Sequence, residues 1–179
     1  CTVGIEDEYG ETDSLAVDVT VENSDPMVSV VEITPDPATN DSVLTCGDDS
    51  SDPDNQTLSK TYEWTNTTTG TVLGSSAVLT LSSATVSPQD VLTCDVDITD
   101  TMSASASGTG TITIGNRTPS VPSVTLTPAT AMTEDSLTVS ATGSVDADDD
   151  AISYSYEWFV DGVLSAHASD SIDSSLTSA

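Results

Sequence analysis

Cys94-Asp95-Val96-Asp97-Ile98-Thr99-Asp100 alternates apolar and polar residues, so Cys94, Val96 and Ile98 share one face of a half-buried strand. Very similar text stands 93 residues earlier, as Cys1-Thr2-Val3-Gly4-Ile5-Glu6-Asp7. The same offset carries Ser14 onto Ser107, Thr20 onto Thr113, Asn23 onto Asn116 and Pro26 onto Pro119. It then carries Val28, Val31, Ile33, Thr34 and Pro35 onto Val121, Val124, Leu126, Thr127 and Pro128. One inserted residue later, Tyr62-Glu63-Trp64 meets Tyr156-Glu157-Trp158. A period near 90 residues exceeds the roughly 20 to 50 of solenoid units and describes a string of autonomous domains.

The period divides the chain into 1–25, the last strands of one unit; 26–118, a whole unit; and 119–179, the first two-thirds of another. Aromatic residues make up only 4% of the chain, so each core leans on Val, Leu, Ile and one Trp. Helical periodicity is nearly absent. In the whole unit the alternation places strand A at Val28–Ile33, B at Val43–Cys46 and C at Ser59–Trp64. Strand E follows at Ala77–Leu81, F at Val91–Ile98 and G at Thr109–Ile114. Turn signals fall at Pro35-Asp36-Pro37, Gly47-Asp48-Asp49, Thr69-Gly70, Ser87-Pro88-Gln89-Asp90 and Gly108. Seven short strands at this spacing predict a β-sandwich, and the fold class is all-β. In the third unit Asp161-Gly162, between Phe159-Val160 and Val163-Leu164, predicts a two-residue hairpin turn.

The order Cys46, Trp64, Cys94 resembles the pin of the immunoglobulin fold, and Asp90 resembles that family's E–F corner, although Leu92 replaces the usual tyrosine. The whole chain is similar to the tandem Ig-like, PKD-like and cadherin-like repeats of very large bacterial and archaeal surface proteins. The text that carries this is Ile33-Thr34-Pro35, Leu44-Thr45-Cys46, Asp52-Pro53-Asp54-Asn55, Tyr62-Glu63-Trp64 and Leu92-Thr93-Cys94. The resemblance implies tandem seven-stranded Ig-like sandwiches in a linear string. It also implies a Cys46–Cys94 disulfide; two buried free thiols are the alternative. Such a bridge is worth roughly 4 kcal/mol by loop-closure entropy and belongs to an oxidising, extracellular or cell-surface setting. The third unit carries Val139 in place of Cys46 and so lacks the bridge.

Thirty acidic residues stand against Lys60 and Arg117, for a net charge of −28. This describes either a solvated, self-repelling surface or one that binds cations or meets high salt. Nucleic acid is excluded as a partner for want of a basic patch, and an anionic membrane surface would repel the chain. No run of 18 apolar residues spans a bilayer, and no signal peptide is visible. Cys1 reads either as a lipidated terminus or, from its match to Cys94, as an ordinary strand cysteine.

Calcium is the cofactor with geometry behind it. In a seven-stranded sandwich the B–C loop, the F–G loop and the entry to strand A share one end. Asp52 and Asp54 from the first, Asp100 from the second and Asn23 and Asp25 from the third supply hard oxygen. Asn116, Asp146, Asp148 and Asp150 repeat the arrangement. The competing reading is that Asp, Asn and Ser simply cap turns. Asn40, Asn55, Asn66 and Asn116 each begin an Asn-x-Ser/Thr triplet, three in expected loops and one at a junction, where N-glycans would sit.

Nothing predicts catalysis. His167, the single histidine, sits in a Ser/Ala/Asp stretch and reads as a solvated loop residue. No phosphate loop, nucleophile elbow or zinc cluster occurs. Strand F of the third unit would begin just after Leu176-Thr177-Ser178-Ala179. Two explanations stand for this phase: the chain is a window on a longer array, or strands F and G at residues 1–22 of one copy complete the sandwich at 119–179 of the next. The first is favoured, since Cys1 would face Val139 and find no partner. The expected role is a structural segment of an extracellular filament, stalk or giant surface protein, with copies of itself or adjacent repeats as partners. The rival is adhesion or carbohydrate binding to cell-surface glycans, for which Tyr9, Tyr154 and Phe159 are too scattered to make an evident platform.

Overall fold

The computed structural model describes residues 1–174, and the elements they form are strands in several antiparallel sheets. Leu176-Thr177-Ser178-Ala179 lies outside the described residues. The first group is a hairpin, β1 (Thr2–Glu6) and β2 (Thr12–Ala16). The second comprises β3 (Met27–Thr34), β4 (Val43–Ser51), β5 (Ser59–Asn66), β6 (Thr71–Gly74), β7 (Val78–Thr80), β8 (Val91–Thr99) and β9 (Ser105–Thr113). Its strands form a three-stranded sheet, β3-β4-β7, and a four-stranded sheet, β6-β5-β8-β9. The third group pairs β10 (Ser123–Thr127), β11 (Leu137–Thr142) and β14 (Ser171–Ile172), with a separate hairpin of β12 (Phe159–Val160) and β13 (Val163–Leu164).

The core lies between the two sheets of the second group. Leu44 of β4, Trp64 of β5 and Leu92, Cys94, Val96 and Ile98 of β8 are wholly buried, as the period-two reading predicts. Cys46 and Cys94 form a disulfide that ties β4 to β8 and so one sheet to the other. The Trp64 indole lies in the same cluster and its N–H donates to the Ser76 carbonyl at 2.8 Å, so its one polar atom is satisfied.

The sheet registers reproduce the sequence period. Ile33 pairs with Cys46 and, 93 residues on, Leu126 pairs with Val139. Leu44 pairs with Leu79, and Leu137 with Ile172. Val96 pairs with Gly108, and Val3 with Leu15. Even the tryptophan bond recurs, from Trp158 to the Ser169 carbonyl at 2.8 Å.

Three expectations are corrected. Gly47-Asp48-Asp49 is not a turn but the second half of β4. Asp48 continues the inward face of Leu44 and Cys46, and its carboxylate is satisfied there by Lys60 Nζ at 2.6 Å. Gly108 is not a turn but the middle of β9. A Cβ at that position would sit 2.8 Å from Val28 and Val31, so glycine is what lets β9 lie against β3. Finally, β6 completes the seven strands where only a turn at Thr69-Gly70 was read; Gly70, at φ 73°, makes the turn.

The outer groups use the same registers without a closed core. Val3, Ile5 and Leu15 are 63–71% exposed, whereas Val96 and Ile98 are fully buried. Residues 153–158 join no ladder, although their counterparts 59–64 in β5 are each paired with β8.

Candidate functional site

The acidic residues expected as calcium ligands first do local work. Asp52 Oδ1 accepts the backbone N–H groups of Asp54 (2.7 Å) and Gln56 (3.2 Å), while Asn55 adopts a left-handed conformation at φ 59°. The copy is faithful: Asp146 Oδ1 accepts from Asp148 N–H at 2.8 Å and Asp149 stands at φ 64°. In the other loop Asp100 Oδ1 closes the β8–β9 connection by accepting from Met102 and Ala104 N–H, both at 2.8 Å. Asp7 does the same for Tyr9 and Glu11 at 2.9 Å. The turn-capping reading therefore describes one oxygen of each of these carboxylates.

The second oxygen of Asp100 and a carboxylate oxygen of Asp54 are engaged at the entry to β3. Asn23 Nδ2 donates to Asp100 Oδ2 at 2.8 Å, and Ser24 N–H donates to Asp54 Oδ2 at 2.7 Å. Gln56 links the two loops, donating to Asn23 Oδ1 and accepting from Thr101 Oγ1. The structure thus joins Asn23 to Asp100 directly and brings Asp54 to the neighbouring Ser24, with Asp52 on the same turn as Asp54; Asp25 is exposed. The Asn23 amide, helped by the Ala104, Met102 and Ser103 N–H groups, holds the Asp100 carboxyl below its usual pKa against the opposing effect of burial. Asp52 Oδ2 is buried and has no hydrogen-bond partner.

At the second junction Arg117 takes the central place. Its N–H donates to Asp148 Oδ2, as Ser24 does to Asp54. Its Nε donates to Asp148 Oδ1 at 2.8 Å, Nη1 to Asp41 Oδ2 at 3.0 Å, and Nη2 to Asn40 Oδ1 and the Ala147 carbonyl. Asn40 Nδ2 returns a bond to the Asp148 carbonyl at 3.0 Å, and Ser83 Oγ donates to Asp149 Oδ2 at 2.7 Å. These bonds tie the far end of the second group to the third. The guanidinium holds the Asp41 carboxyl below its usual value, after the Thr39 hydroxyl, which contributes most.

Carboxylate oxygens of Asp146, Asp148 and Asp150 lie within 4.8 Å of one another. Asn116 does not join them in hydrogen bonding: it is exposed and its amide donates to the Arg117 carbonyl. Arg117 supplies positive charge where a cation was expected. Its signal was in the sequence, as one of two cations in a chain of charge −28 placed at a repeat boundary.

Of the glycosylation triplets, Asn40 and Asn66 are corrected. Both are buried, at 1% and 0% exposure. Asn40 is committed to Arg117 and Asp148, and Asn66 Nδ2 donates to Asp90 Oδ2 at 2.7 Å. A buried amide nitrogen already in a hydrogen bond has no room for a glycan. Asn55 and Asn116 are exposed. His167 is in a loop and partly buried.

An open apolar cleft of about 380 Å³ marks the third group. It is lined by Val124, Leu126, Val139, Tyr154, Tyr156 and Trp158, among others. Five of these have period-mates, Val31, Ile33, Cys46, Tyr62 and Trp64, in or against the closed core of the second group; the mate of Tyr154 is the exposed Lys60. Among the described residues no helix is long and apolar enough to cross a membrane. No protein-family model, no curated protein and no solved structure matches the chain.

Proposed function

We propose that this chain is a structural segment of an extracellular filament, stalk or large surface protein, built of Ig-like β-sandwiches joined end to end. Residues 26–118 form one complete bead, 1–25 the last strands of another and 119–179 the first strands of a third. The observation that carries this reading is the recurrence of one junction bond. Ser24 N–H meets Asp54 and Arg117 N–H meets Asp148, at positions one repeat apart. A linker that docks the same way on each bead gives a series with a fixed geometry. The Cys46–Cys94 bridge favours an oxidising compartment, and a net charge of −28 keeps such a series hydrated and separated from its neighbours.

Calcium belongs to the same reading: at the first junction Asp52 Oδ2 is buried without a partner, and at the second the carboxylate oxygens of Asp146, Asp148 and Asp150 lie within 4.8 Å of one another. At the second junction Arg117 already engages both oxygens of Asp148. N-glycans are proposed for Asn55 and Asn116 alone.

Small-angle scattering of the purified chain tests the reading. An elongated particle with one dense bead and extensions at both ends supports it. A single compact globule overturns it.

A further inference from the structure

We propose that the complete bead, residues 26–118, is built to fold in a saline medium, with dissolved monovalent cations screening a row of like charges that folding assembles on its four-stranded sheet. The inference needs only the fold of the bead and stands apart from the filament and calcium readings.

The register sets the outer face of that sheet. The alternation that buries Leu92, Cys94, Val96 and Ile98 turns Thr93, Asp95, Asp97 and Thr99 the other way. Glu63 of β5 pairs directly with Asp95 of β8, and Asp97 follows two residues on along the same face. Directly paired residues have Cβ atoms about 4.5–5.5 Å apart, and like charges placed so oppose the pairing. Asp95 and Asp97 are two residue rises apart, about 6.7 Å. Glu63 and Asp95 are 32 residues apart in the chain, so it is folding that brings these charges together.

Neither cationic side chain of the chain offsets them. Lys60 lies on the same side of β5 as Trp64 and pairs with Asp48, while Arg117 pairs with Asp41 and Asp148 at the second junction. The cross-strand neighbours are uncharged: Thr61 and Ser107 flank Asp97, and Thr109 lies on the far side of Asp95. The Thr109 hydroxyl donates to Asp95 Oδ1, which leaves the charge in place. Separations of about 5–7 Å fall inside the Debye length of about 10 Å at 0.1 M salt and outside that of about 3 Å at 1 M. The repulsion therefore persists in dilute buffer and fades only towards molar salt.

Urea unfolding of the whole chain, with its disulfide intact and EDTA present throughout, tests this from about 0.05 M to about 1 M NaCl. Glu63→Gln combined with Asp95→Asn and Asp97→Asn keeps the shape of each side chain and removes the charges. At the lowest salt this variant should have a higher urea midpoint than wild type, with a folding constant raised about three- to tenfold. At the highest salt the advantage should shrink to less than about twofold. A control that removes equal charge from exposed residues outside the bead, Glu8→Gln with Asp18→Asn and Glu22→Gln, should leave the midpoint and its salt dependence as in wild type. A triple variant no more stable than wild type at low salt overturns the proposal, and so does an advantage that salt leaves unchanged. An equal gain from the control overturns it too, since net charge alone would then account for the effect. None of these outcomes bears on particle length in scattering, so the filament reading stands or falls separately.

Discussion

Arg117 and Asp148 hold each other twice: the arginine's backbone N–H and its Nε each donate to a different oxygen of the same carboxylate. Asp148 is 4% exposed, and the same guanidinium reaches Asp41 and Asn40 on the neighbouring group. Two bonds from one residue, one from its backbone and one from its charged side chain, fix direction as well as distance.

Arg117→Ser, which copies the residue at Ser24, should therefore loosen the second junction without unfolding the beads. Scattering should show a broader distribution of particle lengths while circular dichroism stays unchanged. Arg117→Lys should fall nearer to Ser than to wild type, because a point charge cannot serve Asp148 and Asp41 together.

Replacing both cysteines of the bridge, Cys46→Ala with Cys94→Ala, should cost about 4 kcal/mol, since the bond closes a loop of 48 residues. Urea unfolding followed by the buried Trp64 fluorescence checks this. A loss below about 1 kcal/mol would mean that the unfolded chain is already constrained.

Gly108→Val should destabilise the bead by about 1–3 kcal/mol through overpacking against Val28 and Val31. Adding Val31→Ala should recover part of that loss, because the space is then available. Without recovery, the close approach of β9 to β3 is not what the glycine serves.

The Asp100 carboxyl has its folded pKa lowered from 3.8, chiefly by Asn23, so its contribution to stability is complete above the unfolded value. It is lost as pH falls through the lower folded value. Asp100→Asn should lower the urea midpoint at pH 7. The gap between variant and wild type should be constant well above 3.8 and narrow as the pH falls below that value. Using the difference cancels the protonation of the many other carboxylates, which both proteins share.

Strand positions were legible because Leu44, Cys46, Leu92, Cys94, Val96 and Ile98 alternate strictly. The end of β4 was not, because Asp48 and Asp49 carry the composition of a loop, and the Lys60 ammonium that pairs with Asp48 lies twelve residues on. Gly108 misled in the same way: glycine marks turns, but here it serves a close approach between sheets. At the junctions Asn23, Asp54 and Asp100 were legible as one end of a sandwich, since topology brings those loops together. Gln56, Asn40 and Ser83 were not, because their roles depend on side-chain reach between groups far apart in sequence.

The bridge from Cys46 to Cys94 also sets how far a bead yields when its two ends are pulled apart. Of the 93 residues at 26–118, the 48 spanned by the bond stay locked in a loop. Only about 45 are then free to pay out, roughly 150 Å of slack where the whole repeat would release about 310 Å. Oxidation thus acts as a tether limit, and a repeat with Val139 at that place would stretch about twice as far.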